Sequence, residues 1–289
     1  MTSVNPSPTL TPEQIQQYHD DGFIVIENVF SPDEVDALRA AEGSPEIQST
    51  LAEMGIATRT VHLLELTMRH PAFLALARDP RIAGRITPLL GPDIQLQHSK
   101  LATKASTRGM GAFGWHQDIL YYPHTNTSLL SVFIYLDDAT PENGCMSMVP
   151  GSHRLGPLRH HDENGIFLGA CLETHYWEDK AAKVVPVSPK AGSISIHHCL
   201  TLHGSPPNHS GRPRRGVVFS YRADDAHQVG DNVFRDTGLV VAGQRKGVVR
   251  CENIAWTLPL RGNKEKRDFG NAHHQTGDWA EEHNRAQGT

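Results

Sequence analysis

Cysteine is scarce in this 289-residue chain: there are four, Cys145, Cys171, Cys199 and Cys251, and none forms a CxxC pair. The spacing argues against a zinc ribbon or a thioredoxin-like redox site and suggests reduced thiols in a cytoplasmic protein. No run approaches the roughly 20 apolar residues of a membrane span. The opening residues, Met1 to Pro6, lack the charged and apolar regions of a signal peptide. No membrane partner is expected. Basic blocks are missing too: Lys264-Glu265-Lys266-Arg267 is interrupted by a glutamate, and the net charge is only −5. That excludes a dedicated nucleic-acid surface from the expectations. No internal repeat is present.

What the chain does have is an ordinary apolar content of 38%, enough to bury a core without disulfides, and 18 histidines. Histidine is the commonest metal ligand, so position must choose among them. The spacing predicts a flexible arm over 1–10, a single domain over 11–260 and a polar tail over 261–289. Thr11-Pro12-Glu13-Gln14 and Ser31-Pro32-Asp33-Glu34 each read as a capped helix start with proline in the first turn. A further helical stretch is expected from Pro71 to Leu90. After Gly91 the texture changes to short apolar runs separated by turn residues, at 93–101, 129–136, 145–149, 184–187, 192–198 and 216–223. Helices first and strands afterwards predict a mainly β fold: a jelly-roll-like double-stranded β-helix, its core spanning about 93–223, buttressed by N-terminal helices.

The most informative segment is Trp115-His116-Gln117-Asp118. In an extended strand, side chains at i and i+2 share a face, so His116 and Asp118 can reach one ion while Gln117 turns away. A third ligand must come from elsewhere. Two histidines and a carboxylate on one face, with open positions opposite, suit a non-haem iron(II) oxygenase. His203, in Leu202-His203-Gly204-Ser205, ends a second strand-like segment; His197 and His198 compete with it, but neither is followed by Gly-Ser. Eleven residues past His203, Arg214 enters the next strand-like run, where a guanidinium can hold a carboxylate by paired hydrogen bonds. A dicarboxylate that chelates iron at one end and meets an arginine at the other is 2-oxoglutarate. Arg212 and Arg215 compete with Arg214; Arg215 would face the opposite way, and the spacing favours Arg214.

The sequence resembles the phytanoyl-CoA dioxygenase family of Fe(II)/2-oxoglutarate-dependent oxygenases from Leu10 to about Arg222. The likeness rests on Leu10 to Gln14, Asp21 to Ile26, Leu90 to Ile94, His98 to Leu101, Asn143-Gly144-Cys145, Val149 to His153, the His116-Gln117-Asp118 run, and His203-Gly204-Ser205 followed by Arg214. The resemblance implies His116, Asp118 and His203 as iron ligands, with dioxygen and 2-oxoglutarate as co-substrates. It implies Arg214 and Ser205 at the distal carboxylate, and Lys100 and Phe133 at positions where the family often contacts the co-substrate. Related halogenases replace the carboxylate ligand with a small residue; Asp118 therefore favours hydroxylation or desaturation.

The expected partner is a small-molecule metabolite, in secondary metabolism. An acyl-CoA substrate is the alternative, weakly disfavoured because no basic cluster is placed for CoA phosphates. Two other classes compete: a Zn-dependent barrel hydrolase on the same ligands, which needs no anchoring arginine, and a non-catalytic binding module. Oligomeric state is not readable. His153 is expected to bond locally at a turn, His160 and His161 to be solvated, and Cys199 to be a small buried residue. Tyr121 and Tyr122 either line the substrate mouth or cover the barrel, and the segment 223–260 with Trp256 would flank the opening.

Overall fold

The computed structural model describes residues 8–54 and 61–260. The expected arm falls outside these residues except at positions 8–10, where Leu10 is buried. The expected tail, the basic run at 264–267 and His273-His274 lie wholly outside them.

Helices open the chain where the capping signatures predict. In α1 (Pro12–Asp21) the Gln14 N–H donates to Thr11 Oγ1 at 3.2 Å, and the Thr11 N–H donates to Gln14 Oε1 at 3.0 Å. Ser31 and Glu34 form the same reciprocal box ahead of α2 (Pro32–Glu42). A third helix, α3 (Pro45–Glu53), was not expected; its N-cap Ser44 makes no side-chain cap bond. The stretch expected as one helix from Pro71 to Leu90 is two: α4 (Pro71–Ala77) and α5 (Pro80–Leu90). Pro80 breaks it, because proline donates no N–H and disfavours helical geometry in the residue before it. Asp79 takes up the break as an N-cap, accepting from the Arg81 N–H at 2.8 Å.

The strands, in chain order, are β1 (Phe23–Ile26), β2 (Val61–Leu64), β3 (Ile94–Lys104), β4 (Phe113–His116), β5 (Leu129–Tyr135), β6 (Met146–Met148), β7 (Val185–Val187), β8 (Ile194–His198), β9 (His203–Ser205), β10 (Arg214–Ala223) and β11 (Val240–Ala242). One antiparallel sheet runs β1-β8-β5-β10-β3-β11, with β2 also pairing with β3; a second runs β4-β9-β6-β7. The expected apolar runs match β3, β5, β6, β7, β8 and β10. The near-continuous run of β5 sits between β8 and β10, buried along its whole length.

Side-chain alternation divides the larger sheet between two jobs. On its outer face Val217, Phe219 and Tyr221 of β10, Val132 and Ile134 of β5, and Ile194 and Ile196 of β8 pack with α1–α5 in the main core. On its inner face Phe133, Tyr135 and Val218 meet Met146, Met148 and Val187 of the smaller sheet, closing a double-sheet barrel. The helices thus buttress one wall, and the interior between the sheets is left to the site.

Gly22 joins α1 to β1 with φ +83°, a left-handed conformation, and a Cβ there would lie 2.5 Å from His153 Nδ1 and 2.6 Å from Thr201 Oγ1. Thr201 Oγ1 donates to the Gly22 carbonyl at 2.7 Å, tying the helix–strand corner to the loop before His203. Gly22→Ala is expected to lower stability by at least about 1 kcal/mol. The check is a reduced urea midpoint with an unchanged slope.

Candidate active site

β4 ends at His116, Gln117 stays extended, and Asp118 opens a short 3₁₀ turn over Asp118–Tyr121. As expected, Gln117 turns away from its neighbours. It is fully buried and bonded on every side: its side-chain amide donates to the carbonyls of Gly156 (2.9 Å) and Leu200 (2.8 Å) and accepts from the Leu158 N–H (2.8 Å). This anchors the turn that presents Asp118. His203 begins β9 and lies directly across from His116 in the β4–β9 pairing. The ligand-type atoms of His116, Asp118 and His203 lie within 4.8 Å of one another, all three residues buried.

The hydrogen bonds around this trio leave its lone pairs directed inward. His116 Nδ1–H donates to the Gly114 carbonyl at 2.7 Å, and His203 Nδ1–H to the Thr201 carbonyl at 2.9 Å. In a neutral ring each of these bonds places the proton on Nδ1 and leaves Nε2 as the lone pair. Those Nε2 atoms stand 3.5 and 3.9 Å from Asp118 Oδ1. The other carboxylate oxygen, Oδ2, is held from behind by Ser131 Oγ at 2.8 Å and His197 Nε2 at 3.1 Å. Burial alone would raise the Asp118 carboxyl. The His116, His197 and His203 imidazoles around it outweigh it and hold the group well below the usual carboxylate range. Burial, with His116 and His197 beside it, pushes His203 well below its ordinary value, so that imidazole is neutral. Neutral imidazoles and an ionised carboxylate are the forms a divalent metal requires.

From this centre the inner face of the larger sheet descends in rungs set by strand register. His98 pairs with Ser220, Lys100 with Val218, Ala102 with Gly216, and Lys104 with Arg214; Ser131 and Phe133 of β5 lie across from Ser220 and Val218. A cavity runs along these rungs from the metal-ligand trio to Arg214, with Ser205, Phe133 and Lys100 in its walls. Arg214 is 4% exposed, donates to the Gly144 carbonyl at 2.5 Å, and has a buried Nε with no partner. Its ion pairs among the described residues number none. Gly216 keeps the cavity open beside it: a Cβ there would lie 2.0 Å from the Phe133 ring, which itself lies under the Arg214 guanidinium with 5.7 Å between centres. All seven residues expected at the site are brought to this one cavity.

Residues 18–216 match the family model described as phytanoyl-CoA dioxygenase (PhyH). The chain belongs to the phytanoyl-CoA dioxygenase family. Among its relatives is a probable alpha-ketoglutarate-dependent hypophosphite dioxygenase of Stutzerimonas stutzeri, 32% identical over 269 residues, covering 86% of this chain and 91% of that protein. Of solved structures, the non-heme alpha ketoglutarate dependent carbocyclase SnoK of nogalamycin biosynthesis matches with a TM-score of 0.61 at 25% identity, over 88% of this chain and 94% of that one. EctD of S. alaskensis, solved with 2-oxoglutarate and 5-hydroxyectoine, matches with a TM-score of 0.63 at 25% identity, over 90% of each chain.

Within this family member the remaining expectations divide. Arg215 faces outward, as alternation requires, and pairs with Asp137 (2.9 Å) and Glu42 (3.3 Å). His153, expected to bond locally at its turn, instead bonds far along the chain, its Nε2–H donating to the carbonyl of His19 at 3.1 Å. Cys199 is buried. His160 and His161, expected in solvent, are buried. The reason is a long-range demand: His160 Nε2 accepts from the Gln117 N–H at 3.1 Å, and His161 Nε2–H donates to the Leu258 carbonyl at 3.1 Å. Tyr121 and Tyr122 line a second, smaller pocket with His98, Lys100, Asp118 and Phe234, so part of the 223–260 segment does flank the site. Trp256 packs on the neighbouring aromatic cluster. His197 and Ser131 escaped sequence reading as Asp118 partners. The available signal was alternation, which places both on the inner face with Phe133.

Two outcomes are expected. Partners that orient a metal ligand are worth about 10–100-fold in metal affinity, so His197→Phe should weaken Mn(II) binding at least about tenfold, measured by calorimetry. His197→Gln, which keeps a donor, should recover part of it. Separately, His98, His124, His160 and His198 are each pushed down to about 3, chiefly by burial. The unfolded chain takes up protons below about pH 6.5 that these folded imidazoles refuse. Stability of the metal-free protein should therefore fall as pH drops from about 6.5 toward 3, read as a declining denaturant midpoint.

Proposed function

We propose that this chain is an iron(II)- and 2-oxoglutarate-dependent dioxygenase. It hydroxylates or desaturates an unactivated C–H bond of a small-molecule metabolite, releasing succinate and carbon dioxide. The observation that carries this reading is Arg214, a buried guanidinium with no carboxylate partner among the described residues, at the far end of a cavity that begins at the metal-ligand trio. A buried, unpaired charge is costly. The distal carboxylate of 2-oxoglutarate offsets that cost by paired, charge-assisted hydrogen bonds. A zinc hydrolase on the same three ligands has no use for such a cation, and a mere binding module has no need of an inward-facing trio.

The residues divide the work by position. His116, Asp118 and His203 would hold iron through two imidazole nitrogens and a carboxylate oxygen. Ser131 and His197 fix one oxygen of Asp118, leaving the other for the metal. Arg214 and Ser205 receive the distal carboxylate of the co-substrate, and Phe133 walls it beside Gly216. When bound, iron and 2-oxoglutarate supply the oxidising chemistry, while the protein contributes orientation and exclusion of water. Retention of the Asp118 carboxylate favours hydroxylation or desaturation over halogen transfer. The likeness to a nogalamycin-pathway carbocyclase and to an ectoine-family enzyme supports a small metabolite, in secondary metabolism, ahead of an acyl-CoA. Four free cysteines, one of them exposed, support a reducing, cytoplasmic setting. Among the described residues no helix is long and apolar enough to cross a membrane.

Succinate formation that requires both Fe(II) and 2-oxoglutarate is the expected result. Asp118→Ala should abolish coupled turnover, and Arg214→Met should raise the 2-oxoglutarate requirement at least about tenfold through loss of its charged hydrogen bonds. Full activity of Asp118→Ala, or turnover indifferent to iron, would sink the assignment.

A further inference from the structure

The inner row of β3 carries two lysines, Lys100 and Lys104, along the cavity that ends at Arg214. Lys104, on the rung with Arg214, is satisfied by backbone: its ammonium donates to the carbonyls of Gly111 (2.7 Å) and Pro206 (2.5 Å). Lys100, two rungs nearer the metal-ligand trio, is different. It is 8% exposed, and its ammonium makes no hydrogen bond or ion pair with any described residue. Lys100 lines both the central cavity and the smaller pocket beside it, which Tyr121, Tyr122, His98 and Phe234 complete. A second polar group there also lacks a partner: His98 Nδ1 is buried without a hydrogen bond, its ring stacked on Phe234 at 4.3 Å. At two neighbouring inward positions of one strand, the His98 ring thus has a buried nitrogen without a partner, although buried polar groups are nearly always paired, and Lys100 faces the cavity with no hydrogen-bond partner among the described residues.

Charge points the same way. The residues lining the two pockets include Lys100, Lys104 and Arg214 but a single carboxylate, Asp118. A divalent metal with Asp118, and 2-oxoglutarate with Arg214, would compensate one another. Lys100 would still stand beside them with no counter-charge, and an uncompensated buried ammonium is costly.

We propose that Lys100 receives an anionic group of the primary substrate, a compact oxyanion such as a carboxylate or phosphonate, held in the pocket walled by Tyr121, Tyr122 and Phe234. The inference rests on the oxygenase reading and names the substrate class that reading leaves open. Lys100 is then a specificity-determining residue, distinct from the co-substrate anchor to which family resemblance assigns it.

The test uses the full chain loaded with Mn(II), which keeps the site redox-silent, and saturated with 2-oxoglutarate under anaerobic conditions. Propanoate and ethylphosphonate are titrated by calorimetry against their neutral counterparts, propanamide and diethyl ethylphosphonate. At least one anion is expected to bind about tenfold or more tightly than its neutral partner, and Lys100→Met is expected to erase that difference, as loss of a charge-assisted hydrogen bond would. Which of the two anions binds better separates carboxylate from phosphonate substrates. The dissociation constant of 2-oxoglutarate, measured on the same variant, should move by less than about threefold, against the larger loss expected for a charged contact. Equal binding of anion and neutral analogue, binding of neither, or undiminished anion binding by Lys100→Met overturns the proposal. So does a selective loss of 2-oxoglutarate by the variant, which would return Lys100 to the co-substrate. Failure of the wild type to bind 2-oxoglutarate at all overturns the oxygenase reading itself, a result separable from each of these.

Discussion

The carboxylate of Asp118 sits at the bottom of a protein interior, and an isolated carboxylate there costs several kcal/mol relative to water. The molecule offsets part of that cost with two hydrogen bonds, and the side chains around the carboxylate come from four strands. Ser131 on β5 and His197 on β8 bond one oxygen, while His116 at the end of β4 and His203 at the start of β9 crowd the other. Both sheets must therefore converge on one residue. Gln117 fixes the turn that carries Asp118, and Thr201 and Gly22 fix the loop that carries His203, so even the corner between α1 and β1 bears on where the ligands stand.

The larger sheet can serve this centre only because alternate residues serve the helices behind it. Along β10, Val217, Phe219 and Tyr221 belong to the helix-packed core, whereas Arg214, Gly216, Val218 and Ser220 face the barrel. A slip of one residue would exchange the two sets, driving a guanidinium into the helices and aromatic rings into the cavity. Arg215 pins the register from outside. Its backbone N–H and its Nε both donate to Asp137 Oδ2 at 2.9 Å, so the arginine that cannot enter the site secures the one that does.

Inside, the balance of charge is uneven by construction. Cationic side chains outnumber carboxylates along the cavity, and the one guanidinium at its end has a nitrogen left without a partner. Such a lining is unstable as an empty apolar core and favourable as a receptacle for anions. The same low-dielectric surroundings that penalise the unpaired cations strengthen their attraction for a bound carboxylate.

Much of this was legible in the residue order, because it is encoded by local rules. Thr11 and Ser31 announce their helices through contacts three residues away. The i, i+2 spacing of His116 and Asp118 and the alternation of Arg214 and Arg215 need only strand geometry. Pro80 could have been read as the break in the 71–90 helix by the same local logic. What only the tertiary structure decided lies between residues far apart in sequence. His197 is separated from Asp118 by 79 positions, and His160 from Gln117 by 43. No periodicity distinguishes these histidines from the others in the chain, since their roles come from the groups that folding brings opposite them. The candidate ligand trio was thus legible in the residue order, but the partners that orient it, and the lysine left without one, emerge only when two sheets close around a shared interior.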